Sequence, residues 1–171
     1  MGFERISAEE WSVCPVSLLS RQKMLLTAED DAGRMNSMTV GWGGFGVMWG
    51  KPTVCYAIRP SRYTFGLAEA GRRISLSAFD PCDAGILSYF GSHSGRDGDK
   101  YAAASLSPIR MEDGGVGFLR ANLVITAEKA YSAPLREDGF SDGAYRAQWY
   151  PRGDLHVLYF ATVCGIYLRK N

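Results

Sequence analysis

The sequence lacks several features that would assign it to the simplest functional classes. No apolar run approaches the ~20 residues that a membrane-spanning helix needs. The opening segment, MGFERISAEEW, carries charges where a signal peptide would be apolar. The formal net charge is only +1, so no bulk field attracts nucleic acid or anionic lipid. We therefore expect a cytoplasmic protein with no nucleic-acid or membrane partner, in which any bound anion is held by local groups.

Paired cysteines and clustered metal ligands are also missing. The two histidines, His93 and His156, have no cysteine or carboxylate partners at metal-ligand spacing, so we expect no metal site. The cysteines include no C-x-x-C pair, which favours buried reduced thiols over a disulfide framework. These cysteines are Cys14, Cys55, Cys82 and Cys164.

Two further signatures are absent, those of a dinucleotide fold and of a serine hydrolase. The glycines in residues 41–46 fall at positions 41, 43, 44 and 46 and no clear helix follows, so the G-x-G-x-x-G pattern fails; no G-x-S-x-G elbow occurs either. The glycine run keeps two interpretations open. It either brings backbone close to a flat ligand between Trp42, Phe45 and Trp49, or it is a bulged strand end whose aromatic side chains fill the core.

What is present indicates one domain, residues 1–171, with strands and short helices. About seven strands and two or three helices are joined too tightly for parallel crossovers, which predicts an antiparallel barrel with helical insertions. The alternation in residues 74–79 predicts one solvent-facing side. We expect a loop at 108–117 and a long excursion outside the core at 134–153. The predicted strands are 14–19 (an edge strand), 23–28, 35–42, 53–58, 74–79, 123–127 and 156–168, and the helices are 63–70, 82–89 and 100–105.

The segment Ser61-Arg62-Tyr63-Thr64 follows a predicted buried strand and begins a predicted helix. A helix N-terminus offers unpaired amides and partial positive charge to an anion. Ser61 and Thr64 add hydroxyl groups, Arg62 adds a guanidinium fork, and Arg59 adds a second cation. The alternative is that Ser61 is an ordinary N-cap and that both arginines lie in solvent.

A second polar segment, residues 92–100 (SHSGRDGDK), contains several turn-forming residues, and Asp99 is placed to cap the helix that follows. It is either a solvated surface loop or a lid over the same ligand. As a lid, Ser94 and Gly95 would donate hydrogen bonds to a heteroaromatic ring, and Lys100 would add positive charge.

Four segments together resemble the flavin reductase-like, FMN-binding split-barrel family, especially its flavoredoxin-type branch. They are NSMTVGW (36–42), RPSRYT (59–64), GSHSGRDGDK (91–100) and DLHVLY (154–159), and their order and spacing agree over residues 14–168. The resemblance implies a mainly β fold: an antiparallel, Greek-key-like split β-barrel with short helical insertions. It also implies a homodimer with one FMN per subunit near the dimer interface.

The resemblance assigns roles to residues at matching positions. No catalytic residue is identified, although His156 would lie near the flavin ring. Where the family often has Gly-Glu after the aromatic residue of its last strand, this chain has Ala161-Thr162 after Phe160, which bears on the identity of the reductant. Arg59 joins the predicted cofactor-binding residues as the second cation of the turn. The FMN ligands that the resemblance implies are Arg62 and Thr64, with Ser61, at the phosphate, Asn36, Met38, Thr39 and Trp42 at the isoalloxazine, and Ser94, Gly95 and Lys100 from the second loop.

The expected function is therefore a flavin reductase-type oxidoreductase that uses NAD(P)H or another donor to reduce FMN. The alternative is a flavoredoxin-like electron-transfer protein, with tightly bound FMN and no direct oxidation of a nicotinamide. In either case its electron partner is a small molecule or a redox protein. A third interpretation is a non-catalytic split-barrel module that binds haem or another ligand, or that serves in assembly.

Overall fold

The computed structural model describes residues 2–170, in which ten strands dominate. Most follow runs rich in β-branched, aromatic and other apolar residues, as strand propensity predicts. The strands are β1 Phe3–Ile6, β2 Met24–Glu29, β3 Met35–Val40, β4 Gly43–Met48, β5 Lys51–Ile58, β6 Arg73–Phe79, β7 Pro108–Arg110, β8 Val116–Phe118, β9 Ala121–Pro134 and β10 Val157–Arg169.

Short helices fill the connections between the strands. Five are α-helical within the described chain: α1 Pro15–Ser17, α2 Tyr63–Ala70, α3 Ala84–Ser92, α4 Lys100–Ala103 and α5 Gly143–Trp149. A π-helical turn, Leu18–Gln22, follows α1, and 3-10 turns lie at Pro81–Asp83 and Glu137–Gly139. No helix in residues 2–170 is long and apolar enough to cross a membrane.

Eight strands form one antiparallel sheet in the order β3-β2-β6-β9-β10-β5-β4, with β1 added to β10. Strand β10 is the centre of the sheet because it pairs with β9, β5 and β1. β7 and β8 form a separate two-stranded ribbon. The mainly β, antiparallel prediction is confirmed.

The sheet must be strongly curled because its two edge strands are neighbours in the chain. β3 ends at Val40 and β4 begins at Gly43, a separation of at most ~11 Å along the backbone. In a flat sheet the same two strands would lie about 29 Å apart, since adjacent strands are ~4.8 Å apart. No ladder joins β3 to β4 in the described part of the chain, so the barrel stays open along this seam.

Side chains on β2 alternate between two hydrophobic cores, one on each side of the sheet. Met24 and Leu26 pack inside the curled sheet, whereas Leu25 packs outside it against α3 and β8. Phe90 and Phe118 are fully buried in this outer core. The two cores hold the start of α2 and the end of α3 against the same region of β3.

The structure contradicts four expectations. Residues 14–19 are not an edge strand, because Pro15 starts α1, where its missing N–H costs nothing. Residues 108–117 are the β7–β8 ribbon and not a loop, and β8 packs on β6. Strand β6 therefore has no solvent-facing side, and Ser75 and Ser77 are buried. Three of the four thiols are exposed, namely Cys14, Cys82 and Cys164, and Cys55 is partly buried.

Candidate anion-binding site

A cleft of about 140 Å³ lies between β3, the turn before α2 and the segment that joins α3 to α4. Each of these elements was singled out from the sequence, and the fold brings them together. The residues that line this anion cleft are Asn36, Ser61, Arg62, Tyr63, Thr64, Gly91, Ser92, His93, Ser94, Arg96 and Lys100.

The charge of the anion cleft is strongly asymmetric. Three cationic side chains, Arg62, Arg96 and Lys100, line it, and none of the described lining residues is acidic. The whole chain has a net charge of only +1. The cleft therefore has a local excess of positive charge that the chain as a whole lacks, as expected if a bound anion is held by local groups.

Arg62 is held in place by the end of α3. Its Nη1 donates to the carbonyl of Gly91 at 3.2 Å and its Nη2 donates to the carbonyl of Phe90 at 3.4 Å. A guanidinium has five N–H donors, so others stay available to a ligand. Burial lowers the pKa of Arg62 from its ordinary value. Its backbone occupies the N-cap position of α2, where Ser61 was the alternative expectation.

The first turn of α2 is joined to β3 by a buried side-chain bridge. Asn36 Nδ2 donates to the hydroxyl of Thr64 at 2.7 Å, and both side chains are buried. Backbone amides at the start of a helix can donate to an anion. At the start of α2, Arg62 N already donates to the Arg59 carbonyl and Phe65 N to the Arg62 carbonyl, both at 3.0 Å. The amides of Tyr63 and Thr64 are therefore the candidate donors. Gly95 lies against this bridge. A Cβ on Gly95 would overlap Asn36 Oδ1 and would lie 2.7 Å from Tyr63 Cδ1, so the close approach requires glycine.

Lys100 is a buried cation at the floor of the anion cleft. Its Nζ donates to the carbonyls of Ser37 at 2.6 Å and His93 at 3.3 Å, and the residue is only 4% exposed. Burial, followed by the charge of Arg62, lowers the pKa of Lys100 to about 8.

Lys100 begins α4, and Asp99 caps that helix as predicted. The Asp99 carboxylate accepts from Tyr101 N at 2.9 Å and from Ala102 N at 3.1 Å.

Arg59 does not line the anion cleft, although the sequence suggested it as a second phosphate ligand. Its Nη1 donates to the carbonyl of Asp154 at 3.1 Å and its Nη2 to that of Trp149 at 2.8 Å. The guanidinium also lies 4.9 Å from the ring centroid of Tyr150. Arg96 and Lys100 supply the additional cations instead.

Ser61 lines the anion cleft but directs its polar hydrogens elsewhere. Its amide donates to Asp154 Oδ1 at 3.1 Å and its hydroxyl donates to Asp154 Oδ2 at 2.6 Å. A hydroxyl has one hydrogen to donate. In this arrangement Ser61 fixes the turn, and donation to a ligand falls to other groups.

Three of the predicted ring-contacting residues lie away from the anion cleft. Met38 is buried in the inner core, and the hydroxyl of Thr39 donates to the carbonyl of Leu87 in α3. Trp42 packs on His156 and Trp149, with ring centroids 4.7 and 5.1 Å apart. The roles of these residues toward a flavin stay predictions.

His156 belongs to an aromatic cluster formed by Trp42, Trp149, Tyr150 and His156. Its Nδ1 shares a 2.8 Å hydrogen bond with the hydroxyl of Tyr150. Burial, and secondly the positive charge of Arg59, lowers the pKa of His156 to about 4. The imidazole is therefore neutral near pH 7.

The other two aromatic residues of the glycine run lie outside this cluster. Phe45 packs on Trp11, and Trp49 is exposed.

Sequence reasoning missed five residues of the anion cleft: Tyr63, Gly91, Ser92, His93 and Arg96. Arg96 is the important omission. Its Nη1 donates to the carbonyl of Ser61 at 3.4 Å, and its guanidinium lies 5.4 Å from the ring centroid of Tyr63. The available signal was a cation inside the segment 92–100, for which a lid was one of two interpretations.

The fold and the anion cleft together define a class of protein: an open, curled antiparallel β-barrel with a cationic cleft at a helix N-terminus. The family model described as the flavin reductase like domain matches residues 16–171. The chain therefore belongs to the flavin reductase-like domain family. None of the curated proteins compared with it shows significant similarity.

Solved structures share this fold at low sequence identity. The FMN-binding domain of a flavin reductase-like enzyme from Shewanella baltica OS155 has a TM-score of 0.68 at 13% identity, covering 98% of this chain and 77% of that one. Flavoredoxin of Desulfovibrio vulgaris (Miyazaki F) has a TM-score of 0.68 at 14% identity, covering 96% and 78%. A Shewanella frigidimarina NCIMB 400 protein described as having a split barrel domain has a TM-score of 0.69 at 14% identity, covering 88% and 68%. At these identities the similarity establishes the split-barrel fold.

Proposed function

We propose that this protein binds FMN and holds its phosphate group in the anion cleft. The observation that carries the proposal is the convergence of Arg62, Arg96 and Lys100 on the start of α2, with no acidic residue among the described lining residues. FMN-binding relatives with the same fold support the choice of ligand.

The size of the anion cleft fits a phosphate group better than a whole cofactor. Sites that enclose drug-sized ligands typically occupy about 300–1,000 Å³, whereas this cleft has about 140 Å³. We therefore place the phosphate in the cleft and the flavin ring outside it. Arg62 and Lys100 would bind the phosphate oxygens, and the first-turn amides of α2 would donate to them.

We further propose that the protein is a flavin reductase-type oxidoreductase that uses NAD(P)H or another donor. Bound FMN supplies the hydride or electron transfer, and the protein supplies binding and orientation. The neutral imidazole of His156 offers a hydrogen-bonding group without charge at the aromatic cluster. Within this proposal, the cluster borders the flavin ring.

The first test is a visible absorption spectrum after addition of FMN and removal of the excess by desalting. Retained flavin bands support a bound cofactor. Titration with FMN and with riboflavin, which lacks the phosphate, then isolates the contribution of the cleft. Equal affinity for the two would contradict the placement of the phosphate.

Replacement of Arg62 with Ala should weaken FMN binding roughly ten- to a hundredfold, because it removes charge-assisted hydrogen bonds to the phosphate. Riboflavin binding should change little. Arg72→Ala is the matched control, since Arg72 is largely exposed and pairs with Glu128. Unchanged FMN affinity in Arg62→Ala would exclude Arg62 as a phosphate ligand.

The reductant requires a separate experiment on the FMN-loaded protein. Mixing it with NADH or NADPH without oxygen should bleach the flavin bands if the protein is a reductase. Persistent bands, with bleaching by dithionite, would favour the flavoredoxin-like electron carrier.

A further inference from the structure

Asp154 connects the anion-binding turn to a distant part of the chain. Its two carboxylate oxygens accept from the amide and the hydroxyl of Ser61, at 3.1 and 2.6 Å. Its own carbonyl accepts from Arg59 at 3.1 Å. Both ends of the segment Arg59-Pro60-Ser61 are therefore held by one residue, immediately before the N-cap of α2.

The backbone of Asp154 is adapted to this position. Its φ is 57°, in the left-handed region that Asp and Asn tolerate better than most residues other than glycine. The neighbouring Gly153 also has a positive φ, of 74°. This turn directs the carboxylate toward Ser61, whose amide and hydroxyl both donate to it.

Arg59 secures the same connection from the other side. It donates to the carbonyls of Asp154 and Trp149, lies 3.8 Å from the Asp154 carboxylate, and stacks on Tyr150. The Asp154 side chain is about one-third exposed. The turn before α2 is therefore oriented by contacts that do not themselves line the anion cleft.

We propose that Asp154 is a positioning residue for phosphate binding: through Ser61 it fixes the turn, so that Arg62 and the first amides of α2 face the cleft. This inference rests on the proposed function.

A positioning role for Asp154 predicts an effect on FMN affinity that is opposite in sign to the effect of charge alone. Removal of a carboxylate beside a cationic cleft should strengthen anion binding if charge alone matters, whereas loss of positioning should weaken it.

The test is Asp154→Asn, which keeps the tolerance for the left-handed backbone while removing the charge and one of the two acceptor oxygens. We expect FMN affinity, measured by quenching of flavin fluorescence, to fall about tenfold, equivalent to about 1.4 kcal/mol. Riboflavin affinity should stay nearly constant. Asp142→Asn is the matched control, because Asp142 caps α5 through Ala144 N and does not line the cleft.

A double-mutant cycle shows whether Asp154 acts through Ser61. Ser61→Ala should weaken FMN binding in the wild-type background and add little in Asp154→Asn. Fully additive effects, or tighter FMN binding by Asp154→Asn, would overturn the proposal. If Asp154→Asn does not fold, Ser61→Ala alone tests the proposal. An unchanged preference of Ser61→Ala for FMN over riboflavin would also overturn the proposal.

The same titrations distinguish this inference from the proposed function. A wild-type protein that binds FMN and riboflavin equally would contradict phosphate binding in the cleft. A wild-type preference for FMN that survives in Asp154→Asn would leave the proposed function intact and reject Asp154 as its positioning residue.

Discussion

At the scale of single residues, the anion cleft depends on side chains whose partners are far apart in sequence. The contribution of Arg62 was predictable, because it sits between a strand pattern and a helix pattern. The position of Arg59 was not predictable, because its partners Trp149 and Asp154 lie 90 and 95 residues away. Hydrogen bonds over such separations leave no local signal, so the sequence assigned Arg59 to the phosphate.

Lys100 gives a prediction about pH. Its pKa is about 8, below the ordinary value of about 10.4 for lysine, so its charge is lost as the pH rises through 8. A bound phosphate favours the charged form of Lys100 and raises its pKa, so the Lys100 amine takes up a proton when FMN binds. FMN affinity should therefore fall above about pH 8, a range in which the phosphate itself, with a second pKa of about 6, no longer titrates.

Calorimetric titration with FMN near pH 8.5, in buffers of different ionisation enthalpy, would detect this proton uptake. Lys100→Met should abolish it and weaken FMN binding. Lys129→Met is the control, because Lys129 also donates to two backbone carbonyls, those of Ala68 and Glu69. Proton uptake that persists in Lys100→Met would assign the titration to another group.

At the scale of elements, β2, β3, β5 and α2 were predictable because turn-forming residues or a glycine bound the runs that form them. One failed prediction came from a proline, and another came from a strand face that a second element covers. Residues 14–19 looked extended, yet Pro15 suits the start of a helix. The alternation in β6 predicted a solvent face, but the β7–β8 ribbon covers it. A sequence pattern does not show which other element will pack on a strand.

Helix α4 should position Lys100 for the ligand. Asp99→Ala removes an N-cap that accepts two hydrogen bonds, and should lower the free energy of unfolding by about 1 kcal/mol. It should also weaken FMN binding, because Lys100 is the first residue of the helix.

Denaturant unfolding and FMN titration would measure the two effects of Asp99→Ala separately. The control is Asp113→Ala, which removes a carboxylate that accepts from Gly115 N at 3.0 Å in the turn between β7 and β8 and should lower stability without affecting FMN. Lowered stability with unchanged FMN affinity in Asp99→Ala would show that Lys100 keeps its position without the cap.

At the scale of the whole molecule, the open barrel leaves β4 as an edge strand with exposed apolar side chains. Val47 is 71% exposed and Trp49, which follows the strand, is 61% exposed. Exposed apolar edges are prone to pair with another chain. The homodimer implied by the family resemblance is consistent with this edge and stays a prediction.

We expect light scattering to give the mass of a dimer, and Val47→Lys to shift the protein toward the monomer, with half that mass. Leu119→Lys is the control, since Leu119 is an exposed apolar residue between β8 and β9. A dimer that is unaffected by Val47→Lys would place the interface elsewhere.

The pairing of β5 with β10 has a consequence for biosynthesis. In this register Tyr56 lies opposite Tyr159, so β10, one of the two sheet partners of β5, is translated about a hundred residues after it. At typical ribosomal speeds this delay is roughly 5–20 s. During that interval the edge of β5 that pairs with β10 in the folded protein has no strand to pair with.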